Sequence, residues 1–122
     1  MADTEKIVYI VTHAGDDPER ASLPFVLANA AQAMDVEAVV VLQGPAVFLA
    51  TKGCLEHVFA AGLPPLKNLV ESYVEAGGKI LVCGPCIKER RIEEHELIEG
   101  ASVTAAGALT QHILEANATL VY

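Results

Sequence analysis

The sequence predicts an α/β domain: a mainly parallel sheet of roughly five strands, with helices on both faces. Three observations predict it. Short runs such as Lys6–Val11, Val36–Leu42 and Lys79–Cys83 are apolar almost without alternation, as strands buried on both sides are. Segments with helical spacing separate them, and the two signals alternate along the chain, the order that builds a parallel sheet. The length of 122 residues is that of one domain, so residues 1–122 are read as a single unit.

Lys6–Val11 (KIVYIV) is the first strand, and Thr12–Arg20 is the polar loop behind it. Asp17-Pro18 and Ser22 both carry helix-start chemistry, since Asp and Ser cap and proline fits a first turn. Pro24 favours the later start, which predicts a helix from about Ala21 to Met34. Val36–Leu42 is the second strand, broken by Gly44-Pro45. Pro45–Thr51 and Gly53–Phe59 read as short helical pieces. Leu66, Leu69, Val70, Tyr73 and Val74 follow helical spacing over Pro65–Ala76, and Gly77-Gly78 ends that helix. Lys79–Cys83 (KILVC) is the third strand and Ala101–Val103 a brief fourth. Thr104 is expected to cap a helix whose core face is Ala106, Leu109, Ile113 and Ala116. Ala118–Tyr122 is the last strand.

Composition narrows the function. Hydrophobic residues make up 52% of the chain and mean hydropathy is +0.39. No apolar run reaches the roughly 18 residues of a membrane span; Asn29 and Gln32 interrupt the greasiest stretch. No membrane partner is expected. Excess apolarity in a short chain points to surface reserved for other subunits. Eight basic residues face sixteen acidic ones, a formal charge of −8 that would repel a phosphate backbone, so nucleic acid is not an expected partner. The segment Met-Ala-Asp-Thr-Glu-Lys shows no signal-peptide pattern, and three cysteines do not make a disulfide framework. A reducing cytoplasm is the expected compartment.

In open parallel sheets, function gathers at the carboxyl ends of the strands. Three loops lie there: Thr12–Arg20, Gln43–Ala46 and Cys83–Arg91. The third is the most informative. Cys83 and Cys86 are three positions apart, Gly84 permits a sharp turn between them and Pro85 stiffens it. Lys88, Arg90 and Arg91 place three of the eight cations within five residues of Cys86. Thiolate is the reactive form of cysteine, and nearby cations favour it. The plainer alternative is that Cys83 packs in the core and the cations form a solvated face paired with Glu89, Glu93 and Glu94.

Cys-Gly-Pro-Cys is also the thioredoxin tetrapeptide, but a thioredoxin carries it after an early strand with Trp directly before it. This chain has no Trp, and its motif comes two thirds of the way along. No metal site is expected: there is one Cys-x-x-Cys, Cys54 is isolated, and His57, His95 and His112 lie on separate segments. The first loop is too acidic for a phosphate and too poor in hydroxyls for a flavin phosphate, so no cofactor is expected. His13 in that loop is a candidate proton carrier, or a group that orients a thiol from a neighbouring strand end. Arg20 is placed to pair with Asp16 or Asp17.

Taken together, these segments resemble the DsrE/DsrF-like family over nearly the whole length. The resemblance rests on Thr12-His13, Asp17-Pro18-Glu19-Arg20-Ala21 and Leu23–Ala30. It continues through Leu42-Gln43-Gly44, Lys52-Gly53, Ala76-Gly77-Gly78, Val82–Cys86 and Glu96–Gly100. Where relatives often carry Arg-Gly, this chain has Arg90-Arg91. The resemblance implies a small three-layer domain of flavodoxin-like topology that assembles as a homo-oligomer, a trimer or a hexamer. It also implies a role in sulfur relay, in which a cysteine accepts sulfane sulfur as a persulfide from a donor protein and passes it to an acceptor protein. Cys86 is the expected nucleophile and Cys83 its partner or alternative, with Lys88, Arg90 and Arg91 attracting an anionic donor. Two other readings stay open: a non-catalytic subunit of a sulfur-relay oligomer, and a thiol-disulfide redox protein.

Overall fold

The computed structural model describes residues 4–122. Five strands, β1 (Lys6–Val11), β2 (Glu37–Leu42), β3 (Lys79–Cys83), β4 (Ala101–Thr104) and β5 (Ala118–Val121), form one parallel sheet in the order β4-β3-β2-β1-β5. Four α-helices join them: α1 (Pro18–Ala33), α2 (Leu66–Glu75), α3 (Gly84–Glu89) and α4 (Ala106–Glu115). The expected parallel α/β sheet is therefore present. Its winding differs from a flavodoxin-like one, which reverses after its first crossover. Here the first three crossovers step in one direction and only the last turns back, carrying β5 to the far side of β1.

A right-handed crossover places its helix according to the direction of the step. The three like-handed steps share one face, where Tyr9, Val11, Val40, Leu42, Ile80 and Val82 pack with Phe25, Leu66, Tyr73 and Ile87. The reversed step puts α4 on the other face, where Leu109 covers Val8, Ile10, Val39, Val41 and Leu81. Ile113 and Ala116 pack against that cluster as expected, whereas Ala106 is exposed. Lys6 also lies on this face, buried, with Nζ 2.9 Å from His112 Nδ1 and 3.0 Å from Glu115 Oε1, which ties α4 to β1.

Several boundaries moved. Helix α1 starts at Pro18, not Ala21: Asp17 is its cap, accepting the Arg20 N–H at 3.1 Å. Pro24 is inside the helix. An interior proline costs about 3 kcal/mol, and burying Phe25 beside it recovers roughly 1.5–3. The two helical pieces after β2 are 3-10 turns, Gly44–Ala50 and Leu55–His57. Thr104 is the last residue of β4 and caps nothing; Ala105 stands at the cap position without a side-chain bond.

Helices α1, α2 and α3 end alike. The residue after each cap is left-handed, at Asp35 (φ 59°), Gly77 (φ 89°) and Arg91 (φ 56°). The next N–H reaches back to the third-last helical carbonyl, at 2.9 Å in all three. This double-bonded ending satisfies carbonyls that would otherwise lack partners. Gly78 follows the second one, and a Cβ there would lie 2.5 Å from the ring of buried Tyr73.

Candidate functional site

The carboxyl end of β3 does not open into a loop. Cys83 is at once the last residue of the strand and the cap position of α3, which runs directly from Gly84 to Glu89. Gly84 makes no sharp turn; its role is close approach. A Cβ on it would lie 3.1 Å from the Thr104 carbonyl and 3.3 Å from Val103 Cγ1, so a side chain there would require β4 to give by a few tenths of an ångström. Pro85 occupies the first turn, where no backbone N–H is needed.

Cys86 thereby sits one helical turn above Cys83, and both are partly buried. Cys86 is near enough to bear on the Cys83 thiol. Burial, first, and the Cys86 thiol push the Cys83 thiol up, while the Cys86 N–H and the Arg90 charge oppose this. On its other side Cys86 Sγ accepts the backbone N–H of Gly44 at 3.3 Å. Gly44 follows β2, the strand beside β3, and has a φ of +55°. The Cys86 sulfur is thus held by a fixed donor one turn from a second thiol, at the sheet edge where ligands bind in such folds.

Arg90 belongs to this site. Its Nη1 donates to the Cys86 carbonyl at 3.2 Å, and its guanidinium stands 6.0 Å from the centre of the half-exposed Phe48 ring. Lys88 and Arg91 are exposed. Among the described residues none of these three cations makes an ion pair with Glu89, Glu93 or Glu94; the salt bridges are Lys6–Glu115, His13–Asp16, Arg20–Asp17 and Lys67–Glu56.

His13 is placed differently from expectation. It follows β1, and β2 lies between β1 and β3, about 10 Å of sheet. Its Nδ1 bonds Asp16 Oδ2 at 2.7 Å rather than a thiol. That bond, with the Ala14 N–H, holds the Asp16 carboxyl below its usual range. Arg20 pairs with Asp17 at 3.8 Å, an exposed contact worth little. Cys54 packs against the core, and burial pushes its thiol up. A cavity of about 370 Å³ between α2 and the 3-10 turns is lined by Lys52, Leu55, Lys67, Val70 and Glu71, among others, and by neither Cys83 nor Cys86.

Gly44 and Phe48 were not singled out by sequence. The available signal was the Gln43–Ala46 loop at a strand's carboxyl end, but an amide's direction depends on a φ angle that residue type does not state.

A parallel α/β domain with two thiols at the carboxyl edge of its sheet is the class that fold and site define. The chain belongs to the DsrE/DsrF-like family, whose model matches residues 5–122. It is 29% identical over 119 residues to the uncharacterized protein MJ0989 of Methanocaldococcus jannaschii, covering 96% of this chain and 99% of that one. The uncharacterized protein MK0008 of Methanopyrus kandleri is 27% identical over 118 residues, covering 95% and 93%. Among solved structures, the ychN protein from E. coli superposes with a TM-score of 0.82 at 21% identity, covering 98% of this chain and 100% of that one. A protein of unknown function, MTH1491 from Methanobacterium thermoautotrophicum, gives 0.74 at 17%, with the same coverage. Among the described residues, no helix is long and apolar enough to cross a membrane.

Proposed function

We propose that this protein carries sulfane sulfur on Cys86 as a persulfide, between a donor and an acceptor protein. The observation that carries the reading is the Gly44 N–H donating to Cys86 Sγ, which fixes that sulfur at the carboxyl edge of the sheet. In the loading step the Cys86 thiolate attacks the outer sulfur of a donor persulfide. The new bond is Cys86 Sγ–S, the donor's S–S bond breaks, and the donor leaves as its thiolate. Delivery repeats the exchange in reverse on an acceptor thiolate. Lys88 and Arg91, exposed and free of acidic partners among the described residues, would draw an anionic donor. Arg90 holds the Cys86 carbonyl and its charge acts on the Cys83 thiol. His13 lies beyond the β2 loop and has no step in this scheme. Family membership supports a role in sulfur metabolism. We also propose that the working form is a homo-oligomer, a trimer or a hexamer.

The test is mass spectrometry after incubating reduced protein with glutathione persulfide. A gain of one sulfur atom on the Cys86 peptide, lost on reduction and transferable to an acceptor thiol, is the expected result. The one-turn spacing of Cys83 and Cys86 favours a second reading, a thiol-disulfide redox protein, and loss of two hydrogens without any sulfur uptake would select it. No mass change with both thiols open to alkylation would leave a non-catalytic subunit.

A further inference from the structure

We propose that Cys83 is a resolving thiol: it displaces the sulfur held on Cys86 and releases it as sulfide, closing a Cys83–Cys86 disulfide. This rests on Cys86 being the carrier, as proposed above.

Three features of the geometry carry it. The two residues occupy the cap and the third position of one helical turn, so their side chains are neighbours, and both are partly buried. Side chains so spaced have β-carbons about 5–6 Å apart, so a small closure brings the sulfurs to disulfide distance. The surroundings are also unequal. Cys86 Sγ has a fixed amide donor in Gly44, whereas Cys83 packs against the core. Burial also pushes the Cys83 thiol up, which suits a group that acts after the sulfur is loaded. Finally, Cys83 ends a strand paired with β4 and packs against the core, whereas Cys86 lies one turn outward on α3.

The step balances within the site. The Cys83 proton passes to the terminal persulfide sulfur, leaving a Cys83 thiolate and Cys86–S–SH. The thiolate attacks Cys86 Sγ, the Sγ–S bond breaks, and HS⁻ leaves. The sulfane sulfur gains two electrons as the two cysteines lose two to their new bond. An external dithiol must then reduce the disulfide before another round. The protein would thus have two exits for its sulfur: an acceptor thiolate when one is docked, and free sulfide when none is.

The experiment uses full-length protein carrying Cys54→Ala, so that only the two site thiols report. Protein is loaded with glutathione persulfide, desalted, and followed by intact mass and by trapping of sulfide. With both cysteines present, we expect about one sulfide per chain and a Cys83–Cys86 disulfide. Adding Cys83→Ser should leave the sulfur on Cys86 and slow sulfide release about tenfold or more. Equal persistence of the sulfur with and without Cys83 would overturn resolution while leaving carriage intact. Uptake and retention by Cys86→Ser but not by Cys83→Ser would overturn the assignment of roles. Failure of every variant to load would remove the carrier reading, and this proposal with it.

Discussion

At the residue scale, the two cysteines are unequal for a reason their spacing does not show. Cys83 closes a buried strand and loses solvent; Cys86 lies a turn out and gains the Gly44 amide. Because burial raises the Cys83 thiol, the folded chain holds that proton more tightly than the unfolded chain does. The associated stability is present below the ordinary thiol range and falls as pH rises through the raised value. In Cys54→Ala/Cys86→Ser protein, iodoacetamide should therefore modify Cys83 with a pH midpoint above that of free cysteine. A midpoint at or below the free value would contradict the burial argument. The pair itself and its nearby cations were legible in the sequence, since residue type and spacing are what define them. His13 was legible as a strand-end group but not in its partner, because Asp16 bonds it from the same loop while β2 separates it from β3.

At the element scale, the informative misses are at helix ends. Gly77 announces its ending because glycine adopts positive φ without a Cβ penalty. Asp35 and Arg91 adopt the same conformation silently. At Arg91 the ending is secured by packing: Ile92, whose N–H bonds the Ile87 carbonyl at 2.9 Å, is buried with Ile87 itself. A left-handed residue with a side chain costs about 1–2 kcal/mol, and glycine's extra unfolded-state freedom returns roughly 0.5–1. Arg91→Gly should accordingly stabilise the protein by about 0.5–1 kcal/mol. Urea unfolding would read this as a higher midpoint at unchanged slope; an unchanged or lower midpoint would show that the Arg91 side chain contributes more than its backbone strain costs. The start of α1 was misread for a related reason. Pro24 looks like a first-turn residue in sequence, and only the packing of Ala21, Phe25 and Ala28 reveals a helix already under way.

At the scale of the whole molecule, alternation of strand and helix made the parallel sheet legible, but strand order was not. Order depends on which direction each crossover steps, and the linking segments carry no mark of that choice. Solvent exposure adds an expectation of its own. Phe59 is 61% exposed, Val121 68% and Leu114 75%, a large apolar display for one small domain. Light scattering on the reduced protein should give three or six times the chain mass of 12.9 kDa. A mass of one chain at micromolar concentration would refute the proposed assembly.

The single reversed crossover also bears on how the protein is made. Synthesis proceeds from β1, and the helices of one face arrive between successive strands, each available to cover the sheet as it grows. The opposite face has no such escort: Val8, Ile10, Val39, Val41 and Leu81 are all present before α4 exists. A nascent chain stalled before residue 106 would carry a four-stranded sheet greasy on one side, bordered by a β1 edge still awaiting β5. Chaperone demand during translation should peak over that interval and subside once α4 and β5 have emerged.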